Sequence, residues 1–461
     1  MNLNKELNRT KRLGLIFFPA FDWAISPDHP EREERLLYTR DQLFEEGLLD
    51  RPEVSEFNPL IASREDVERV HFCIPDVSNR VSEPHLISAG GAIRAARLLL
   101  EDKVDSAFAL VRPPGHHAFR LVRGARGFCT INNEAIMLEW LRHHYRKGLK
   151  IAIIDTDAHH ADGTQDIFYH DPNVLHISLH QDGRTLFPGS GFPSQCGGPT
   201  AFARTLNIPL PPYTTDEGIE YVLENLILPV LDDFKPDIII NDAGQDNHYS
   251  DPLTQMMASA HGYARLTEKL QPDLVILQGG YSIEAALPYI NIGLVLALAG
   301  LDTANLREPD YVPIRQDSRL KDRIKETVQQ VRELWESRDS ADLADLFRPY
   351  HQVVRGKKKQ FYKRKKQIYY DTDGILEEQI EKVRWHEKCP GYLTIASRSR
   401  DQNDYHVFAV HIPATACQEC LDDARAEYEG AVELEEGYDL VQLQNLPENQ
   451  FLSHPQKRIK V

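Results

Sequence analysis

One apolar run that breaks abruptly into carboxylates and imidazoles constrains this chain most. Ile151 to Ile154 is followed by Asp155-Thr156-Asp157-Ala158-His159-His160-Ala161-Asp162-Gly163. The apolar residues read as a short buried strand, and Gly163 closes the turn after it. In a parallel α/β sheet, ligands gather at the carboxyl ends of strands. Alternation along an extended chain puts Asp155, Asp157 and His159 on one side. A carboxylate and a neutral imidazole two residues apart supply two ligands of a zinc-type site.

The same pattern recurs along the chain. Ala107 to Val111 reads as a buried strand that runs into Arg112-Pro113-Pro114-Gly115-His116-His117-Ala118. The prolines block helix continuation, and Gly115 permits an unusual backbone angle before the two imidazoles. Asp237 to Ile240 leads into Asn241-Asp242-Ala243-Gly244-Gln245-Asp246, and Leu274 to Leu277 into Gln278-Gly279-Gly280-Tyr281. Four strands thus deliver acids, imidazoles or a phenol at their carboxyl ends, which points to one active edge of a parallel sheet. Leu15 to Phe18 reads as a first strand, and Val174 to Leu179 as another that stops at His180. Helices are expected over Glu31 to Glu46, from Gly90 and from Asn132. His29 reads as a loop histidine. Phe128, after Gly127, fits either the core or a pocket wall, and Phe187 in the glycine-rich stretch Thr185 to Gly191 fits either a plain loop or a substrate wall.

Length and charge exclude several classes. The 461 residues suit two domains, and 41% apolar content fills a sizeable core. No apolar run is long enough for a transmembrane helix, and the short apolar stretch near the start lacks the features of a signal peptide. A net charge of −17 opposes non-specific nucleic-acid binding and gives no general attraction for anionic membranes. Six scattered cysteines without a secretion signal indicate a reducing cytosol.

A boundary is expected near Arg348, with a catalytic unit over 1–348 and a basic linker plus a small α+β appendage over 349–461. The run Lys357, Lys358, Lys359, Lys363, Arg364, Lys365 and Lys366 reads as a solvated linker or strand edge, with docking to an anionic partner as the alternative. Beyond it, helices are expected over Leu376 to His386 and Ala416 to Glu429, and strands over Tyr392 to Ser397 and Tyr405 to Ile412. The appendage is expected to be separable, so that a chain ending near Arg348 keeps its activity. His386-x-x-Cys389 and Cys417-x-x-Cys420 have spacings that a second, structural zinc could use; a helix start with apolar surroundings is the plainer reading.

RPPGHHA, the GFC after it, DTDAHHADG, AGQDNHYSDPL and LQGGY, in that order, resemble the zinc-dependent histone deacetylase and deacetylase-like amidohydrolase family, in wording closest to its class II and bacterial branch. The resemblance runs from about Leu15 to Ser337 and includes DHPEREERL near the start. It implies an arginase/deacetylase-like α/β domain with helices on both faces of a parallel sheet, and one catalytic zinc on Asp157, His159 and Asp246. It implies His117 as general base and acid, His116 as its electrostatic partner, Asp155 and Asp162 as the carboxylates behind them, and Tyr281 as donor to the oxyanion. Gly127, Phe128 and Phe187 match the walls of an acyl-lysine channel, and a structural potassium ion near Asp155, Asp157, His159 and Ser178 is implied as well. That branch often has asparagine where Asp162 stands, and Gln278 replaces a usual glycine or glutamate. Polyamine-specific relatives carry a glutamate gatekeeper where this chain has Leu253.

The implied activity is removal of acetyl or other acyl groups from lysine side chains of a protein or peptide. Small acetylated amines, including acetylpolyamines, are the alternative substrates, and an oligomer is compatible with all of this. An arginase-like ureohydrolase would need two manganese ions and more bridging carboxylates than these motifs supply. An acyl-binding module with dead chemistry would not need Tyr281, His116 and His117.

Overall fold

The computed structural model describes residues 11–21, 23–26, 28–309, 311–348, 351–354, 359–386, 389–400, 405–434 and 437–456. Its first strands are β1 (Leu13–Phe18), β2 (Val54–Phe57), β3 (Phe72–Cys73), β4 (Ser106–Val111), β5 (Leu121–Val122), β6 (Ile151–Asp155), β7 (Val174–Gln181), β8 (Thr205–Leu210), β9 (Ile238–Ala243) and β10 (Leu274–Leu277). Eight of them form a parallel sheet in the order β2-β1-β4-β10-β9-β6-β7-β8, and β3 pairs with β5. The apolar run of β6 is continuous because both of its faces are covered. Ala152 and Ile154 join one core with the helices Glu34–Glu45 and Leu287–Ala299, whereas Ile151 and Ile153 join another with Glu83–Leu100 and Asn133–His144.

Several boundaries differ from the sequence reading. β7 runs on through His180, whose Nε2 donates to the Gly191 carbonyl and whose Nδ1 bonds to the Ser178 hydroxyl. β9 continues past Ile240 because the Asn241 amide donates to the Ile154 carbonyl and the Thr156 hydroxyl. Gly90 does not start its helix; it sits inside Glu83–Leu100, where a Cβ would overlap the Leu60 carbonyl.

A second, seven-stranded sheet follows. It contains β11 (His351–Val354), β12 (Lys359–Tyr370), β13 (Ile375–Trp385), β14 (Leu393–Arg400), β15 (His406–Ile412), β16 (Leu440–Asn445) and β17 (Gln450–Pro455), neighbours in that order. All pairs are antiparallel except β15 with β16. The helix Gln418–Glu433 packs on it through Cys420, Leu421 and Ala424. The expected helix over Leu376 to His386 is therefore wrong. Alternate residues of β13 turn inward, but two of them, Glu377 and Glu381, are carboxylates, the first paired with Arg123 and the second with Arg364 and Lys366 of the neighbouring strand. An alternation carried by paired charges is invisible to a hydrophobic pattern.

The lysine run is likewise no solvated linker over its described part; Lys357 and Lys358 lie outside the described residues. β12 is an internal strand, and its Arg364 and Lys366 both reach Glu381 and Asp166. Asp166 belongs to the helix Asp162–Phe168 of the first sheet's layer, so these cations tie the two sheets together.

Apolar packing joins the last quarter of the chain to the first part as well. Phe72, Ile74 and Leu121 share one apolar cluster with Phe347, Tyr362, Val383, Leu393 and Ile395. Arg123, 2% exposed, donates to Ser397 and Ser399 and pairs with Glu377 at 3.3 Å. Replacing Arg123 by alanine leaves the buried Glu377 carboxylate without its cation, a loss of about 3–5 kcal/mol. Denaturant unfolding should register it, while alanine at the solvent-exposed Arg97 should move the midpoint little.

Candidate metal centre and active site

β4, β10, β9 and β6 are consecutive neighbours in the parallel sheet, so their four carboxyl ends open onto one patch. Asp157 and His159 follow β6, and Asp246 follows β9; one donor atom from each lies within 4.8 Å of the others. His159 Nδ1 stands 3.0 Å from Asp157 Oδ1 and 2.8 Å from Asp246 Oδ2. The remaining carboxylate oxygens are held by backbone amides: Gly279 donates to Asp157 Oδ2 at 2.8 Å and Ala158 to Asp246 Oδ1 at 2.7 Å. Burial, and then the Asp157 charge, push the Asp246 carboxyl up. Two buried carboxylates around one imidazole are the charge and donor set that a dication satisfies. Among the described residues this cluster offers three ligands, which leaves a position open for water or substrate.

His116 and His117 follow β4 and lie against the same centre. His116 Nδ1 is 3.1 Å from Asp155 Oδ2 and its Nε2 3.8 Å from Asp157. His117 Nδ1 is 2.8 Å from Asp162 Oδ1. Their environments drive them apart. Burial opposes the charge on His116, but Asp157 and Asp155 outweigh it and raise the ring to about 9. Burial lowers His117, the His116 cation lowers it further, and it falls to about 4 despite Asp162. The two adjacent imidazoles are thus pushed in opposite directions, His117 toward the neutral form and His116 toward the charged one.

Tyr281 follows β10, 8% exposed, and burial pushes its phenol well above its usual value. A neutral phenol donates. The turn that carries it is fixed from behind by Arg35, which donates to the Gly280 carbonyl at 2.7 Å and the Gln278 carbonyl at 2.6 Å, its guanidinium 4.9 Å from the centre of the Tyr281 ring. Arg35 pairs with Glu31, which also pairs with Arg112, and all three side chains are fully buried. Gln278, a departure from the family pattern, accepts from the amides of Gly115 and His116 and donates to Glu134 at 3.1 Å. Phe128 packs edge-on to Tyr281 at 5.5 Å and to His29 at 4.3 Å, and Phe187 edge-on to His117 at 5.2 Å. Both aromatics therefore border the patch. Leu253 is 38% exposed, and its amide donates to Asp251, whose other oxygen takes the Tyr281 amide.

Residues 75–291 match the model of the histone deacetylase domain. A "Probable deacetylase" of Archaeoglobus fulgidus is 44% identical over 330 residues, which cover 65% of this chain and 90% of that protein. The chain belongs to the histone deacetylase family. "Acetoin utilization protein AcuC" of Bacillus subtilis is 28% identical over 64% of this chain and 84% of its own length. "Histone deacetylase-like amidohydrolase" of Pseudomonas aeruginosa is 34% identical over 50% of this chain and 62% of its own. The solved structure of the "HDA15 HD domain" superposes with a TM-score of 0.61 at 26% identity, covering 74% of this chain and 98% of that one. As a family member the chain is a deacetylase-type hydrolase with a parallel-sheet α/β core. Among the described residues no helix is long and apolar enough to cross a membrane.

Beyond the matched residues, this deacetylase-family chain adds contacts to its own site that motif reading missed. The turn between β12 and β13 grips the segment that carries Gly127 and Phe128. Asp371 accepts from the Gly127 amide at 2.9 Å, Asp373 from the Ala125 amide at 2.6 Å, and the Tyr369 carbonyl takes Arg126 at 2.6 Å. Arg126 also pairs with Asp162 at 2.7 Å and, after the opposing effect of burial, is the main cause holding that carboxyl below its usual range. An arginine within the stretch Gly124 to Gly127 was the available signal, but the turn it meets lies more than two hundred residues away.

Misplacing a channel wall by an ångström can cost about a hundredfold in rate. Asp371→Ala combined with Asp373→Ala should lower kcat/KM for acetyl-amide hydrolysis by roughly tenfold or more. Metal content should stay unchanged, because no ligand of the centre is touched.

Proposed function

We propose that this protein is a zinc-dependent amidohydrolase that removes acetyl or other acyl groups from lysine side chains. One observation carries the reading: a buried Asp157–His159–Asp246 donor set shares one sheet edge with the carboxylate-backed imidazoles of His116 and His117 and with the Tyr281 phenol. Zinc held there supplies a Lewis acid for the acyl carbonyl and acidifies a water. His117 takes the proton of the attacking water and returns it to the leaving amine, with Asp162 fixing its ring. His116, which Asp157 and Asp155 push toward its charged form, stabilises the negative charge that builds nearby. Tyr281 donates to the acyl oxygen as that charge develops, and Arg35 keeps its turn in place. Phe128, Phe187 and Gly127 border the path of the acyl-lysine. Gly127 has a φ of +50°, and a Cβ there would collide with His117 and Phe187. A structural potassium ion beside Asp155 and Ser178, neighbours in the β6–β7 register, belongs to the same proposal. The six free cysteines suit a cytoplasmic, reducing setting.

Leu253 favours acyl-lysine over acetylpolyamine, since an apolar residue offers no counter-charge to a polycation. A panel of acyl-lysine peptides, acetylated polyamines and small acetylated amines tests this on the zinc-loaded enzyme. Acyl-lysine peptides should give the higher kcat/KM; clear preference for acetylspermidine would reverse the substrate assignment.

Tyr281→Phe tests the chemistry itself. The ring, its packing on Phe128 and its contact with Arg35 all remain, so stability and metal content should hardly move. Loss of the donor should cost about 3–4 kcal/mol of transition-state stabilisation, roughly a hundred- to thousandfold in kcat. A variant within threefold of the wild-type kcat on an acetyl-lysine peptide, threefold being only about 0.65 kcal/mol, would remove the phenol from the mechanism.

A further inference from the structure

Four side chains far from the catalytic edge converge in the C-terminal sheet. His386 and Cys389 lie on the connection from β13 to β14, and Cys417 and Cys420 at the start of the helix Gln418–Glu433. One donor atom from each lies within 4.8 Å of all the others. Cys389 Sγ is 3.3 Å from His386 Nδ1 and 3.5 Å from Cys420 Sγ, and Cys417 Sγ is 3.8 Å from His386 Nδ1. Donors at zinc bond lengths of about 2.3 Å to sulfur and about 2.0 Å to nitrogen, placed on a tetrahedron, stand roughly 3.5–3.8 Å apart. The spacings are of that size, and none of these cysteines is in a disulfide.

We propose that His386, Cys389, Cys417 and Cys420 form a structural zinc site that fastens the β13–β14 connection to the helix. Three thiolates and a neutral imidazole suit a tetrahedral, thiophilic ion and disfavour magnesium or calcium. Four protein ligands close the coordination shell, unlike the three at the catalytic centre. The thiols give up their protons as the ion binds.

The surroundings are built for it. The Gly391 amide donates to Cys389 Sγ at 3.4 Å. Gly391 has a φ of +75°, and a Cβ there would overlap the Arg384 carbonyl oxygen, so the backbone turns under the sulfur only with glycine. Cys417 is the N-cap residue of its helix, where first-turn amides face outward. Glu419 stands 3.7 Å from His386 Nε2, on the ring nitrogen that faces away from the cluster, as outer carboxylates do behind metal-bound histidines. Cys420 is fully buried against Leu421, Tyr392 and Phe361, which seals one side.

The site sits at the far end of β13 from the Asp371–Asp373 turn, roughly 35 Å along the strand. Its role is therefore to hold the C-terminal sheet and helix together, and the inference stands whether or not the catalytic proposal does.

Cobalt(II) loading of the full chain tests it. Thiolate-to-cobalt charge transfer absorbs in the near ultraviolet, and a centre of two carboxylates and an imidazole cannot produce that band. The wild-type chain should show the band, Asp157→Ala should keep it, and Cys417→Ser with Cys420→Ser should lose it. Zinc analysis should read one equivalent fewer in each variant than in the wild type. A cobalt-saturated wild-type chain without the thiolate band overturns the site, whether or not the cysteine variant folds. A Cys389–Cys420 disulfide in protein kept in reducing buffer overturns it too.

Discussion

Carboxylates crowded at the end of a buried sheet have to be compensated, and most of this protein's unusual contacts follow from that requirement. Glu31, Asp155, Asp157, Asp162 and Asp246 are all buried. In so dry a setting each needs a cation or a cage of donors. Glu31 has Arg35 and Arg112, Asp162 has Arg126, and Asp155 has His116. Asp157 and Asp246 have backbone amides and the His159 ring, with two negative charges still close together. Among these five carboxylates, compensation by side chains falls short where three donors converge. Binding of a dication and the architecture of the edge are thus the same electrostatic problem.

That these residues gather at one edge was legible because they sit on short segments after apolar strands, whereas the donor set and the pairing of His116 with Asp155 and of His117 with Asp162 came from the resemblance to the family. Strand alternation and the β-to-loop switch are local, and locality is what a sequence exposes. What stayed hidden is the layer behind them. Arg35 and Glu31 act on a turn some 245 residues away, and nothing near them marks Gly280 as their target. Gln278 appeared only as a departure from pattern, although its amide serves two backbone donors and Glu134 at once. β13 was misread for a related reason: its inward face carries Glu377 and Glu381, so its period of two is written in charge pairs with Arg123 and Arg364.

The C-terminal sheet emerges as a partner of the catalytic edge. β12 brings Arg364 and Lys366 to Asp166, and the turn after it brings Asp371 and Asp373 to the wall segment. β13 then leads from that turn to the cysteine cluster. A structural ion at the distal end would stiffen the strand whose proximal end touches the site, and a long antiparallel pair transmits placement well because every residue is registered against its neighbour.

Why charged clamps should be used here, when apolar packing also holds the sheets together, follows from the backbone they grip. Phe128 has a φ of +67° and Gly127 a φ of +50°, and a non-glycine residue in that region carries about 1–3 kcal/mol of strain. Apolar contacts are non-directional and cannot select that conformation over a relaxed one. A carboxylate accepting a backbone N–H contributes about 1.5–3 kcal/mol and does so only for one orientation of the peptide. Asp371 on the Gly127 amide and Asp373 on the Ala125 amide supply two such bonds at the surface, which favour the strained conformation and orient the segment that carries Phe128. The wall of the site is therefore held in shape by residues outside the stretch that matches the histone deacetylase domain.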